Sequence, residues 1–184
     1  MHLGYIIKIV RSFICWRGSI GRAADLSIKL GEKLHMELDS KKKGNLTEML
    51  CMSAFMAQNC GVCIPFGDNS KYDFIADVDG RLFKIQVKTS SKRKGDENSI
   101  KFSCRSTHVN CKGVQNVRYS KNDIDYFATY YEGQCYLVPV AECSVEKTLR
   151  LAPPNNGQQK GITYATEYIL EKQLSKIKGE VAEH

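Results

Sequence analysis

Long uncharged apolar runs are absent from the 184-residue chain. The most apolar stretch, Leu3 to Trp16, is broken by Lys8 and Arg11, and it never approaches the roughly 20 apolar residues that a membrane-spanning helix needs. No small-residue cleavage site follows it, so it also makes a poor export signal, and the expectation is an intracellular, cytoplasmic protein with no membrane association. Internal repeats and low-complexity segments are missing too, which excludes solenoids. Zinc-ribbon spacing is missing despite eight cysteines. Cys60 and Cys63 form a lone C-x-x-C, while Cys104 and Cys111 stand six residues apart instead of two. Without an export signal, reduced thiols are expected.

Hydrophobic residues make up 42% and charged residues 26% of the chain, a globular composition that excludes wholesale disorder. The length suits one domain with one core. The formal charge of +7 is unevenly spread. Residues 44–80 hold one Lys and five acids, while residues 81–121 hold eleven Lys/Arg and two acids. An acidic stretch followed by a basic one is the pattern of carboxylates for a divalent cation beside cations for a polyanion. A solvated basic surface is the plainer alternative.

Asn45-Leu46-Thr47-Glu48 reads as a helix start, with Asn45 as N-cap and Glu48 three residues on. Gly61 would close that helix. Short strands are expected at Val62–Phe66, Tyr72–Val78, Arg81–Thr89, Ser99–Cys104, Asp125–Tyr131 and Gln134–Val140. Ser90–Asn98 and Ala152–Gln159 read as polar loops. A closing helix is expected over Tyr164–Lys178. The fold class is α/β, a central mixed β-sheet flanked by helices. Residues 1–43 form an N-terminal extension of uncertain role ahead of a domain over 44–184. Its closing run Lys41-Lys42-Lys43 is either an arm or a solvated tail.

Asp79-Gly80 between two alternating runs signals a two-residue type I′ hairpin turn. In that register Asp73 faces Gln86, with Lys88 diagonal to Asp73 at roughly 7–8 Å. The opposite side carries Tyr72, Phe74, Ala76, Val78, Phe83, Ile85 and Val87, which reads as core. A carboxylate, a carboxamide and an ammonium then converge at one edge. That set suits metal-dependent phosphodiester hydrolysis: the carboxylate holds a hard cation and the Lys stabilises developing charge.

At Glu48, Tyr72-Asp73 and Gln86-Val87-Lys88 the sequence resembles the PD-(D/E)xK nuclease superfamily, which has a restriction-endonuclease-like core. Gly44-Asn45-Leu46-Thr47-Glu48, Ile64-Pro65-Phe66-Gly67-Asp68-Asn69, Gln86-Val87-Lys88-Thr89, Tyr136-Leu137-Val138-Pro139-Val140 and Arg150-Leu151-Ala152-Pro153-Pro154-Asn155 look like its group I intron-associated homing endonucleases. The resemblance implies a Mg²⁺-dependent, double-strand DNA endonuclease, with Mn²⁺ able to substitute, that assembles as a dimer or tetramer and is nucleoid-associated when on DNA. It makes Asp73 the principal metal ligand, Gln86 the substitute for the usual second acid, Lys88 the water-orienting cation and Glu48 an auxiliary acid near the metal. Glu48 retains the alternative of a capping-box partner. Phosphate contacts are expected from Lys92, Arg93 and Lys94, with Lys101, Arg105, Lys112, Arg118 and Lys121 extending the same basic region, while Arg150 and the Pro153-Pro154-Asn155-Asn156 loop are expected to reach a DNA groove. Tyr119, Tyr126, Tyr130 and Tyr131 could stack on nucleic acid, although strand aromatics more often serve the core. Two rivals share the core: a Holliday-junction or repair nuclease, and a degenerate relative that binds DNA without cutting.

Overall fold

Asp39, not Asn45, opens the first helix among the described residues. Its carboxylate accepts the Lys42 N–H at 2.9 Å, which satisfies one of the orphan donors at a helix start. Helix α1 runs from Ser40 to Ala57, so Asn45 lies inside it and Glu48 is not the third residue of a capping box. The run Lys41-Lys42-Lys43 belongs to its first turn. The helix is closed by Asn59, whose φ of 59° lies in the left-handed region that Asn tolerates. Gly61 instead begins a strand, where an added Cβ would come within 3.1 Å of the Asp77 Cβ.

The computed structural model describes residues 39–179 except 68, 111–112 and 154–160. The rest of the N-terminal extension, Lys112 and the Pro154-Asn155-Asn156 segment lie outside the described residues. Among the described residues, ten strands form three sheets. The central sheet has the order β1-β2-β3-β8-β9, made from Gly61–Cys63, Phe74–Val78, Arg81–Val87, Tyr126–Tyr131 and Gln134–Pro139. β3 and β8 run parallel while the other neighbours are antiparallel, so the sheet is mixed. The turn between β2 and β3 has φ of 53° at Asp79 and 84° at Gly80, both positive as a type I′ turn requires. The ladder follows the expected register from Val78 opposite Arg81 to Phe74 opposite Ile85.

The polar stretch Ser90–Asn98 is not a loop. It contains β4 (Ser91–Arg93) and the start of β5 (Asp96–Ser103), joined by a tight turn in which Gly95 has a φ of 82°. β10 (Glu146–Arg150) pairs with the other side of β5. A separate two-stranded ribbon follows from β6 (Arg105–Asn110) and β7 (Gly113–Arg118). The closing helix α2 covers Leu170–Gly179, six residues shorter at its start than expected. Leu137 donates its N–H to the Tyr168 carbonyl at 2.7 Å, and Ile169 bridges to Tyr136. That backbone is spent on the β9 edge and is not available to a helix.

Thr47, Cys51 and Phe55 form the buried stripe of α1, spaced one helical turn apart. Cys51 and Phe55 pack on Phe74, Ala76, Val78, Ile85 and Val87, the hairpin face expected to be core, with Phe55 edge-on to Phe74 at 5.3 Å between ring centroids. Phe55→Ala should therefore cost about 3–5 kcal/mol, read by chemical denaturation. The exposed Met56→Ala should stay within about 0.5 kcal/mol of the parent.

Candidate active site

Asp73 stands one residue before β2, where the regular ladder stops. Its N–H bonds to the Ile85 carbonyl at 2.9 Å, and the next donor on the facing strand is taken by its side chain instead. The carboxylate oxygen Oδ2 accepts both the Val87 N–H and the Gln86 Nε2–H, each at 2.5 Å. Asp73 and Gln86 thus meet as the register requires. Gln86 is buried, so its amide needs partners at both ends. Its Nε2 is also 3.2 Å from the Val87 carbonyl, and its Oε1 accepts the Tyr119 hydroxyl at 3.1 Å.

Lys88 follows β3 directly. Its backbone is held by an N–H bond to the Ala128 carbonyl at 2.9 Å, which carries the parallel pairing with β8 one residue further. Its ammonium reaches the Tyr119 hydroxyl at 3.4 Å and lies 5.1 Å from the centre of the Tyr119 ring. Glu48 comes from α1, which is tied to this end of the sheet through the Thr47 and Thr89 hydroxyls, 3.3 Å apart.

The charges feel one another. Burial pushes the Asp73 carboxyl up, against the Val87 hydrogen bond and the Lys88 charge, which pull it down. Burial also raises Glu48, helped by the negative charge of Asp73 and opposed by Lys88. Among the described residues no three Asp, Glu, His or Cys side chains cluster as a metal cage. Two carboxylates beside neutral oxygens nonetheless match Mg²⁺, which commonly takes one or two carboxylates and completes its shell with water and phosphate. They do not match zinc.

The basic residues fall into three groups. Lys92 and Arg93 lie on β4 and Lys94 in the turn after it, all exposed, beginning four residues beyond Lys88. Lys92 has Glu97 at 3.6 Å and Lys101 has Glu146 at 3.3 Å, exposed pairs of little energetic weight. Arg105 and Arg118 stand directly opposite each other across the ribbon, an arrangement that costs stability unless an anion compensates it. Arg105 also has a buried Nε with no hydrogen-bond partner. Arg150 differs from the expectation. Its guanidinium is 2.9 Å from the Asp96 carboxylate and donates to the Ala152 carbonyl, so it pins β10 to the β4–β5 hairpin instead of reaching out towards a groove.

Tyr119 is the site residue that sequence reasoning placed elsewhere. It lies 31 positions from Lys88, and no local pattern announces which side of the chain it faces. Its ring packs edge-on against Phe127 at 5.4 Å, so it serves the core and the site together.

A mixed sheet with an acid, an amide and a lysine at the end of its central hairpin defines a nuclease-like site. The chain belongs to the PD-(D/E)XK endonuclease family, whose match spans residues 38–171. It is also similar to a solved bacterial homing endonuclease, I-Ssp6803I, at 27% identity and a TM-score of 0.64, over 80% of this chain and 99% of that one. No curated protein sequence matches it.

An acid whose folded-state carboxyl is raised destabilises the fold once ionised, and the penalty is relieved as pH falls through the raised value towards the unfolded one. Asp73→Asn can keep both hydrogen bonds through its remaining carbonyl oxygen while removing the buried charge. In EDTA the variant should melt above the parent at pH 7–8. The gap should close as pH falls towards about 4, the ordinary aspartate range.

Proposed function

We propose that the chain is a Mg²⁺-dependent endonuclease that hydrolyses phosphodiester bonds of double-stranded DNA, in the manner of homing or restriction enzymes. The observation that supports this best is the convergence of Asp73, Gln86 and Lys88, with Glu48 electrostatically coupled to them, at one end of the central sheet. Asp73 and Glu48 would hold the cation. When bound, Mg²⁺ neutralises phosphate charge and makes a water more acidic.

The residues of the chain do the rest. Both hydrogen bonds to Asp73 fall on Oδ2, which fixes the carboxylate plane and turns Oδ1 to a ligand. Lys88 places its ammonium where charge develops on the reacting phosphate and where an attacking water needs a partner. Lys92, Arg93 and Lys94 extend from the same strand end to bind flanking phosphates. The ribbon of β6 and β7, with its opposed arginines, has the dimensions of an element that enters the major groove. One such site cuts one strand, so cutting a duplex calls for at least two copies, a dimer or a tetramer.

Incubation with a pool of linear duplexes carrying randomised segments, with Mg²⁺, Mn²⁺ or EDTA, tests the proposal. Cut ends should appear only with metal. Lys88→Ala should abolish cutting while DNA affinity stays within about threefold, since what is lost is transition-state stabilisation and not the wider phosphate contacts. Preference for branched over linear DNA would instead favour a junction nuclease. The non-cutting alternative draws on the neutral Gln86 and on the N-terminal extension. It would be correct if the parent binds DNA yet stays inert under both metals while Gln86→Glu cuts.

Binding should weaken steeply with salt, with a log–log slope of about 0.9 per phosphate contacted. Arg118→Ala should lower that slope by roughly one unit. An affinity unchanged over a tenfold range of salt would remove the DNA-binding role.

A further inference from the structure

We infer that Tyr119 is the positioning residue that allows a neutral glutamine to occupy the second acid position of this site. The inference rests on the nuclease reading above and concerns how the site is held. The Tyr119 hydroxyl has one proton and two lone pairs. It gives the proton to Gln86 Oε1 at 3.1 Å and faces Lys88 Nζ with a lone pair at 3.4 Å. Gln86 in turn gives an amide proton to Asp73 Oδ2 at 2.5 Å. The result is a chain of donors with one direction: Lys88 to Tyr119, Tyr119 to Gln86, Gln86 to Asp73.

Direction matters because an amide has two ends of nearly the same shape. Turned over, Gln86 would set its oxygen against the Asp73 oxygen at hydrogen-bond distance, acceptor against acceptor, and its NH₂ towards the Tyr119 hydroxyl. The acceptor-only carboxylate of Asp73 selects the productive orientation, and the Lys88 ammonium, on a lone pair of the Tyr119 hydroxyl, leaves that hydroxyl's proton to hold the amide oxygen there. A carboxylate at position 86 would orient Lys88 by charge alone. With a glutamine there, the hydroxyl and ring face of Tyr119 hold the ammonium instead. Tyr119 can do this because it is itself fixed, edge-on to Phe127, a fully buried residue of the second core cluster.

Tyr119→Phe isolates the hydroxyl, since the ring, its packing and its cation–π face remain. Single-turnover cleavage should fall about 10- to 100-fold, the equivalent of losing hydrogen bonds within a charged network. DNA affinity should stay within about twofold, and the melting temperature should not account for the loss. Combining Tyr119→Phe with Gln86→Ala should cost less than the product of the two single losses, because part of the hydroxyl's effect runs through the amide. A second measurement needs neither metal nor DNA. In ¹⁵N-lysine-labelled protein, the Lys88 ammonium signal, assigned by its absence in Lys88→Arg, should be seen in the parent and broaden away in Tyr119→Phe.

Cleavage by Tyr119→Phe at the parent rate overturns the inference, as does a fully multiplicative loss in the double variant. If the parent itself cuts nothing, the nuclease reading fails and the ammonium signal alone decides. Its loss in Tyr119→Phe then supports the positioning role, and its persistence overturns it.

Discussion

The carboxylate oxygen of Asp73 that receives two N–H donors is the interaction on which the site depends. Strands β2 and β3 pair regularly up to Phe74 and Ile85. Two residues beyond Ile85, the Val87 N–H bonds to the Asp73 side chain. The switch keeps the backbone donor satisfied, as a buried N–H demands, while it anchors a charged group at the sheet end. The other candidate site residues are placed relative to this point. Gln86 is neutral and donates to the same oxygen, Lys88 lies two residues on, and Glu48 is close enough for its ionisation to respond to Asp73.

Placing a partly buried carboxylate here carries an energetic cost, visible in the raised pKa of both acids. Such a cost is of the kind that functional sites carry at the expense of stability. The surrounding structure is correspondingly stiff. The turn at Asp79-Gly80 locks the register, the α1 stripe packs against the opposite face of the hairpin, and β8 carries Ala128, whose carbonyl holds the Lys88 backbone. Rigid elements on three sides hold the side chains close to a working geometry.

Much of this was legible in the sequence. The Asp-Gly turn set the hairpin register, and with it the meeting of Asp73 and Gln86, because a period of two leaves no freedom once the turn is placed. The mixed α/β sheet and the apolar face of the hairpin followed from the same pattern. The helix boundaries did not, since Asp39 and Asn45 are equally good caps by type and only the full chain decides between them. Ser90–Asn98 looked like a loop because its hairpin is polar and exposed, with no alternation to reveal it. Tyr119 and the Arg150–Asp96 pair were hidden for a different reason: each joins residues more than 30 positions apart, and single-chain periodicity carries no such information.

The most direct measurement is anomalous diffraction from crystals of the protein bound to duplex DNA and Mn²⁺. The account predicts a manganese peak within about 2–2.5 Å of a carboxylate oxygen of Asp73, the distance expected for a hard cation on oxygen, next to a DNA phosphate, with Lys88 facing that phosphate. A complex whose manganese lies away from Asp73, or whose DNA backbone passes the end of the central hairpin out of reach of Lys88, would contradict it.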